Sequence, residues 1–168
     1  MGSVVVDTPA GPITIELFKD QAPVSVENFL QYVRDGFYEG TTWHRVVPGY
    51  VIQGGGYTPQ LAEKPTRPPI QNEATNGLSN RKGTVAMART RAARSATSQF
   101  FINLADNPGL DHRGFGPDDF GYAVFGRVID GWAAVDNIAA AKTMSKDGMD
   151  NVPETPIVIR SVTVRGRE

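Results

Sequence analysis

The stretch Trp43 to Gly56, WHRVVPGYVIQGGG, gathers a guanidinium, an aromatic ring and a side-chain amide. Pro48-Gly49 is a strong turn signal, so two β segments meet at a bend. Alternate residues of a strand share a face. Val51 and Gln53 are therefore expected to point one way and Ile52 the other. Gln53 then lies beside whatever Arg45 faces. A charged donor, an amide and a ring on one β surface are suited to binding an extended peptide. A surface ion-pair arginine and a solvated glutamine would explain the same residues, and this stretch alone leaves both readings open.

A second stretch, Ser98-Gln99-Phe100-Phe101-Ile102-Asn103, is apolar with adjacent aromatics. One ring must face one side and the next ring the other, so both faces of this strand are expected to be buried. Together, WHRVVPGYVIQGGG, GTVAMA (Gly83 to Ala88), SQFFIN and FGYAVFG (Phe120 to Gly126) resemble the cyclophilin family of peptidyl-prolyl cis-trans isomerases. The runs recur in the family's order and spacing over nearly the whole chain.

The resemblance implies a reaction that needs no nucleophile, metal or cofactor. A peptide bond before proline rotates over a barrier of roughly 18–20 kcal/mol. The barrier reflects delocalisation of the proline nitrogen lone pair into the carbonyl. A catalyst must hold the twisted amide better than either planar form. In that state the nitrogen is pyramidal and accepts a hydrogen bond, for which a permanently charged arginine is suited. By resemblance, Arg45 donates to the proline nitrogen and Gln53 bonds the substrate backbone. Tyr50, Val51, Phe101 and Leu110 form the walls and floor of a proline pocket. Ala88, Arg89, Gln99 and Tyr122 line the rest of the groove. At Arg89 the family uses mainly backbone groups, so its side chain is expected to be incidental. Plain core packing would equally explain Phe101 and Leu110 from composition alone. His44 is expected to be a hydrogen-bonded structural neighbour of the site.

Four positions depart from the common pattern. Tyr50 replaces Phe, Val51 replaces Met, and Tyr122 replaces the pocket histidine of eukaryotic members, as bacterial members often do. Gly109 stands where members carry Trp or Phe. That aromatic helps hold cyclosporin A, so weak drug binding is expected with catalysis retained.

The elements that must position these residues are short. Ser3 to Asp7 and Ile13 to Leu17 read as a hairpin across a Pro/Gly turn. Val26, Phe29, Leu30 and Val33 form an apolar stripe on a helix opened by Ala22-Pro23 and closed at Gly36. Glu27 is placed in its first turn, against the dipole. Residues 57–73 read as an ordered surface loop, 111–119 as a Gly/Pro-rich excursion, and 89–97 as an arginine-rich loop. Thr84 to Ala88 and Ala123 to Ile129 read as strands. Asp130 is expected to cap a second helix with Trp132, Val135, Ile138 and Ala139 on one face. Residues 144–156 read as irregular. A last strand over 157–164 needs a bulge near Arg160-Ser161 to keep Ile159 and Val162 in phase.

This gives about seven or eight short strands and two helices with no βαβ alternation. The fold class expected is mainly β. The resemblance implies a closed eight-stranded antiparallel barrel capped by two α-helices, in a single domain over residues 1–168.

Composition bounds the alternatives. The 168 residues carry 17 basic and 18 acidic side chains, a formal net charge of -1, which gives no support for nucleic-acid or membrane partners. No apolar run approaches the roughly 18 residues that span a bilayer, and the N-terminal residues do not read as a secretory signal. With no cysteine, thiol nucleophiles and zinc-thiolate sites are excluded. A hydrolase built on His44 lacks a nucleophile elbow, and the Gly54 to Gly56 run lacks the strand–helix context of a nucleotide loop. The expected partners are proline-containing peptides and unfolded chains, without a cofactor and with a monomeric protein. A non-catalytic proline-peptide-binding chaperone module is the alternative. The NEA (Asn72 to Ala74), MART (Met87 to Thr90) and SATSQFFIN runs resemble proteobacterial members. The FGYAVFG and NVP (Asn151 to Pro153) runs lean towards a periplasmic mature form, with the cytoplasm as the other address.

Overall fold

In the computed structural model, residues 2–166 are described. Ten strands and two helices follow in order: β1 (Ser3–Thr8), β2 (Gly11–Leu17), α1 (Pro23–Arg34), β3 (Arg45–Val47), β4 (Val51–Gly54), β5 (Thr84–Met87), β6 (Phe100–Asn103), β7 (Val124–Asp130), α2 (Trp132–Ala139), β8 (Thr143–Lys146), β9 (Met149–Pro153) and β10 (Ser161–Arg165). Eight strands form one curled antiparallel sheet in the order β10-β1-β2-β7-β5-β6-β4-β3.

The sheet is an open barrel, not the closed one expected. Among the described residues, the segments leading into its two end strands are joined by an isolated bridge between Thr42 and Val158. The Trp43 amide donates to the Ile157 carbonyl (3.0 Å) and the Ile159 amide to the Thr41 carbonyl (2.7 Å). The ladder cannot lengthen from there. Pro156 has no N–H to give, and the Arg160 amide turns to the Asp7 carbonyl at 2.8 Å. Ser161 also pairs with Asp7. Two residues thus oppose one where the phase break was expected, and both Ile159 and Val162 reach the core.

The core lies inside the curl. Phe100 is its hub, with edge-to-face contacts to Phe29 (5.4 Å), Tyr38 (5.5 Å) and Trp43 (5.5 Å). Gly55 must be glycine here: its φ is +92°, and a Cβ would stand 2.9 Å from the Phe100 and Tyr38 rings. A smaller cluster of Val51, Ala86, Ala88, Phe101 and Val124 forms separately, with Tyr50, Leu110 and Tyr122 packed against it. Adjacent phenylalanines therefore serve two different apolar regions, as the alternation requires.

Helix α1 buries Val26, Phe29 and Leu30 as the stripe predicts, and it stops at Gly36 with φ +68°. Its N-terminus differs from expectation. Glu27 lies beyond the first turn and pairs with Arg34 at 3.0 Å. The free amides of Val24 and Ser25 are instead bonded by the Glu73 carboxylate, at 3.2 and 2.6 Å. An anion from a distant loop thus satisfies the helix end. At α2 the N-cap is Gly131, while Asp130 closes β7 and accepts the Gly131 amide at 2.9 Å.

Residues 144–156, expected to be irregular, largely form the β8–β9 hairpin. Asp147 (φ +52°) and Gly148 (φ +79°) make its turn. Asp-Gly favours this left-handed pair, so the signal was present in the sequence. Strand β9 packs beside β3 and shields that end of the open sheet.

Candidate functional site

Strand register builds the site. Arg45 pairs with Gln53, Gln53 with Phe101, Phe101 with Ala86, and Ala86 with Val124. Directly paired residues share a face, so these five side chains form one row across β3, β4, β6, β5 and β7. Neighbouring strands are roughly 4.8 Å apart, which places Arg45 about 9–10 Å from the Phe101 backbone. The Pro48-Gly49 turn then carries Tyr50 and Val51 to the same area, with the Tyr50 amide donating to the Val47 carbonyl at 3.0 Å.

Arg45, Gln53 and Phe101 of this row line a concave cavity of about 320 Å³, near the lower end of small-ligand sites. Its lining is Arg45, Tyr50, Val51, Gln53, Ala88, Arg89, Phe101, Leu110 and Tyr122. Gln99 stands just outside. Its Oε1 accepts the Gln53 Nε2 at 3.0 Å, and the Gln53 Oε1 accepts Arg45 Nη1 at 3.4 Å. This chain turns the Gln53 amide so that its oxygen faces the guanidinium. The Arg45 guanidinium carbon is 5.9 Å from the centre of the Tyr50 ring. Phe101 is buried and meets Tyr122 edge-on, with centroids 5.7 Å apart. A charged donor at one end and an apolar floor at the other can hold a polar backbone beside a ring.

His44 lies behind this surface, buried, with its ring 4.6 Å from that of Tyr57. Its Nδ1 has no partner of good hydrogen-bond geometry, while a backbone hydrogen bond involving Thr42 acts on the ring. Burial lowers its pKa to about 4, a Thr42 backbone interaction opposes the shift, and the Arg45 charge adds to it. His44 is thus neutral wherever an exposed histidine would begin to charge. The folded state binds fewer protons than the unfolded chain between about pH 6.5 and pH 4. Stability therefore falls as pH drops through that window. Melting followed across it should show the loss, and a smaller slope for His44→Gln.

Behind the far wall lies a polar network that motif reasoning missed. Asn80 and Asn103 are fully buried. Asn103 Nδ2 donates to Asn80 Oδ1 (3.0 Å), and Asn107 Nδ2 donates to Asn103 Oδ1 (2.9 Å) and to the Tyr50 carbonyl (3.0 Å). Asn80 Nδ2 reaches the carbonyls of Leu110 (3.2 Å) and Tyr122 (3.3 Å). Three pocket residues are thereby held by their backbones. Burial alone would raise the Asp111 carboxyl, but hydrogen bonds from Ser79 and Asn80 hold it below the usual range. The sequence did carry a signal: Asn103 follows Phe101 by two residues and so shares its face.

Comparison with known proteins agrees with this geometry. The family described as cyclophilin type peptidyl-prolyl cis-trans isomerase/CLD matches residues 3–164. The chain belongs to this family. Among curated cyclophilins, peptidyl-prolyl cis-trans isomerase A of Dickeya dadantii is 52% identical over 161 residues, covering 96% of this chain and 83% of that protein. A Streptomyces antibioticus peptidyl-prolyl cis-trans isomerase is 52% identical over 166 residues, covering 99% of this chain and 100% of the relative. A Cryptosporidium parvum cyclophilin, crystallised in the presence of the dipeptide Ala-Pro, superposes with a TM-score of 0.83 at 26% identity. That match covers 98% of this chain and 99% of the other. The open, strongly curled eight-stranded sheet with two helices is thus this cyclophilin's version of the family fold.

Proposed function

We propose that this protein catalyses rotation about X-Pro peptide bonds in flexible or unfolded chains. The observation that carries the proposal is the Arg45–Gln53–Phe101 row beside an open cavity. The proline ring packs on Phe101, between Val51, Leu110 and Tyr122. The amide before it then lies towards Arg45. The guanidinium donates to the proline nitrogen as it becomes pyramidal, while Gln53 holds the substrate backbone. This contact is stronger in the twisted state than in either planar one, which is the condition for acceleration. Ala88 and Gln99 border the path of the flanking residues. A proteolysis-coupled assay on a set of X-Pro peptides tests the proposal. Saturable acceleration of isomerisation is expected; peptide binding without acceleration would leave only a holding module.

Weak inhibition by cyclosporin A is part of the same proposal. Gly109 sits in the turn Pro108–Leu110, beside the pocket leucine. Glycine offers no apolar surface to a ligand that spreads past the proline pocket. A Cβ at Gly109 would meet nothing within 4 Å, so a larger side chain fits. Gly109→Trp should tighten inhibition by roughly 1–3 kcal/mol if the indole packs on the drug. Titrating cyclosporin against both proteins in one assay measures the change. Tight inhibition of the parent protein would show that another contact compensates.

A further inference from the structure

The Arg89 side chain, which the family pattern leaves idle, commits four of its five N–H groups to carbonyls. Its Nε donates to the Gly121 carbonyl at 2.9 Å and its Nη2 to the Pro117 carbonyl at 2.8 Å. Its Nη1 donates to the carbonyls of Thr90 and Arg91, both at 3.1 Å. The guanidinium carbon also lies 4.8 Å from the centre of the Tyr122 ring. One planar fork therefore ties the segment after β5 to the loop before β7 and covers a pocket side chain.

The Gly121 carbonyl receives a second donor, Asn72 Nδ2, at 3.0 Å. Asn72 Nδ2 also reaches the Ala93 carbonyl at 3.1 Å. Gly121 itself has φ +89°, and a Cβ there would stand 2.6 Å from the Asp111 backbone. The peptide that carries Tyr122 is thus pressed onto one segment and pinned by two others. The Tyr122 amide closes the arrangement by donating to the Leu110 carbonyl at 2.9 Å.

We propose that Arg89 is a positioning residue for the proline pocket: its guanidinium fixes Tyr122, which in turn braces Phe101. This rests on the isomerase reading above. With four N–H groups committed to carbonyls, the side chain serves the protein and not the charge of a substrate. Arg45 and Gln53 stand on β3 and β4, away from the segment that carries Arg89, so loss of Arg89 falls on substrate binding more than on turnover.

Arg89→Ala should raise KM for an X-Pro peptide by about tenfold, equivalent to roughly 1.4 kcal/mol, with a much smaller change in kcat. Arg89→Lys should recover only part of the loss, because a point charge cannot span four carbonyls and cover a ring. Arg91→Ala, removing an exposed guanidinium paired with Asp118 at 3.5 Å, should leave KM unchanged. The decisive arm is a double-mutant cycle. In a Tyr122→Ala background, Arg89→Ala should add little, because its route to the pocket is already gone. Additive effects, or an unchanged KM in Arg89→Ala, would overturn the proposal. Hydrogen exchange of the Tyr122 amide supplies a readout without substrate and should quicken in Arg89→Ala. Parent protein inert towards every X-Pro peptide would instead sink the isomerase reading, while unchanged Tyr122 exchange would sink the clamp.

Discussion

Arg45→Ala is expected to lower kcat/KM for X-Pro peptides by about 10²–10³-fold, the usual cost of removing one preorganised donor at a developing charge. The guanidinium is half-buried, and its contact with Gln53 is long at 3.4 Å. Its removal leaves no buried group stranded, so the melting temperature should hardly move. If Arg45 acts on the twisted amide and not on the proline ring, as proposed, the loss falls mainly on kcat. Arg45→Lys should remain poor: an ammonium carries the charge but not the planar fork that could reach Gln53 and a substrate together. Steady-state kinetics beside thermal melting decides the matter. Near-parental turnover in a folded Arg45→Ala protein would remove Arg45 from the chemistry.

Phe101→Ala has the second large effect, on stability and on binding at once. The ring is 3% exposed and sits in the small cluster that floors the cavity. Deleting it should cost about 3–5 kcal/mol, which for a protein of this size lowers the melting temperature by about 6–20 °C. On the proposed reading, the same deletion strips the apolar floor from beneath a bound proline. Peptide affinity must therefore be measured well below the new melting point. Phe101→Leu separates the two effects, because it fills much of the volume while removing the flat ring. A folded variant that binds proline peptides as the parent does would mean that Phe101 serves packing alone.

The facing of side chains around the site was legible because its logic is local, while the roles of Arg45 and Phe101 were implied by the family resemblance. Alternation in VIQ sets Gln53 on the face of Val51, and adjacent rings in SQFFIN must part to opposite sides. The α1 stripe and the Pro48-Gly49 bend are likewise short-range facts, decided by a period or by one pair of torsions. Even the β8–β9 hairpin was legible in Asp147-Gly148, although its composition suggested a loop.

Other features depend on contacts between residues far apart in the chain. The pairing of Gln53 with Phe101 depends on the register between β4 and β6, which side-chain alternation permits at any even shift. Whether the barrel closes turned on the Arg160 amide choosing Asp7, and on Pro156 having no amide to offer. The cap on α1 comes from Glu73, some fifty residues away, where a carboxylate could reach two free amides. The family resemblance made the Arg89 side chain incidental, and the sequence cannot tell which carbonyls will lie within reach of its fork. Sequence alone settled which side chains face together along a strand, since backbone geometry repeats every two residues. Tertiary structure alone decided which strands lie side by side and which polar groups meet. Those choices depend on burying apolar area and pairing hydrogen bonds across the whole chain.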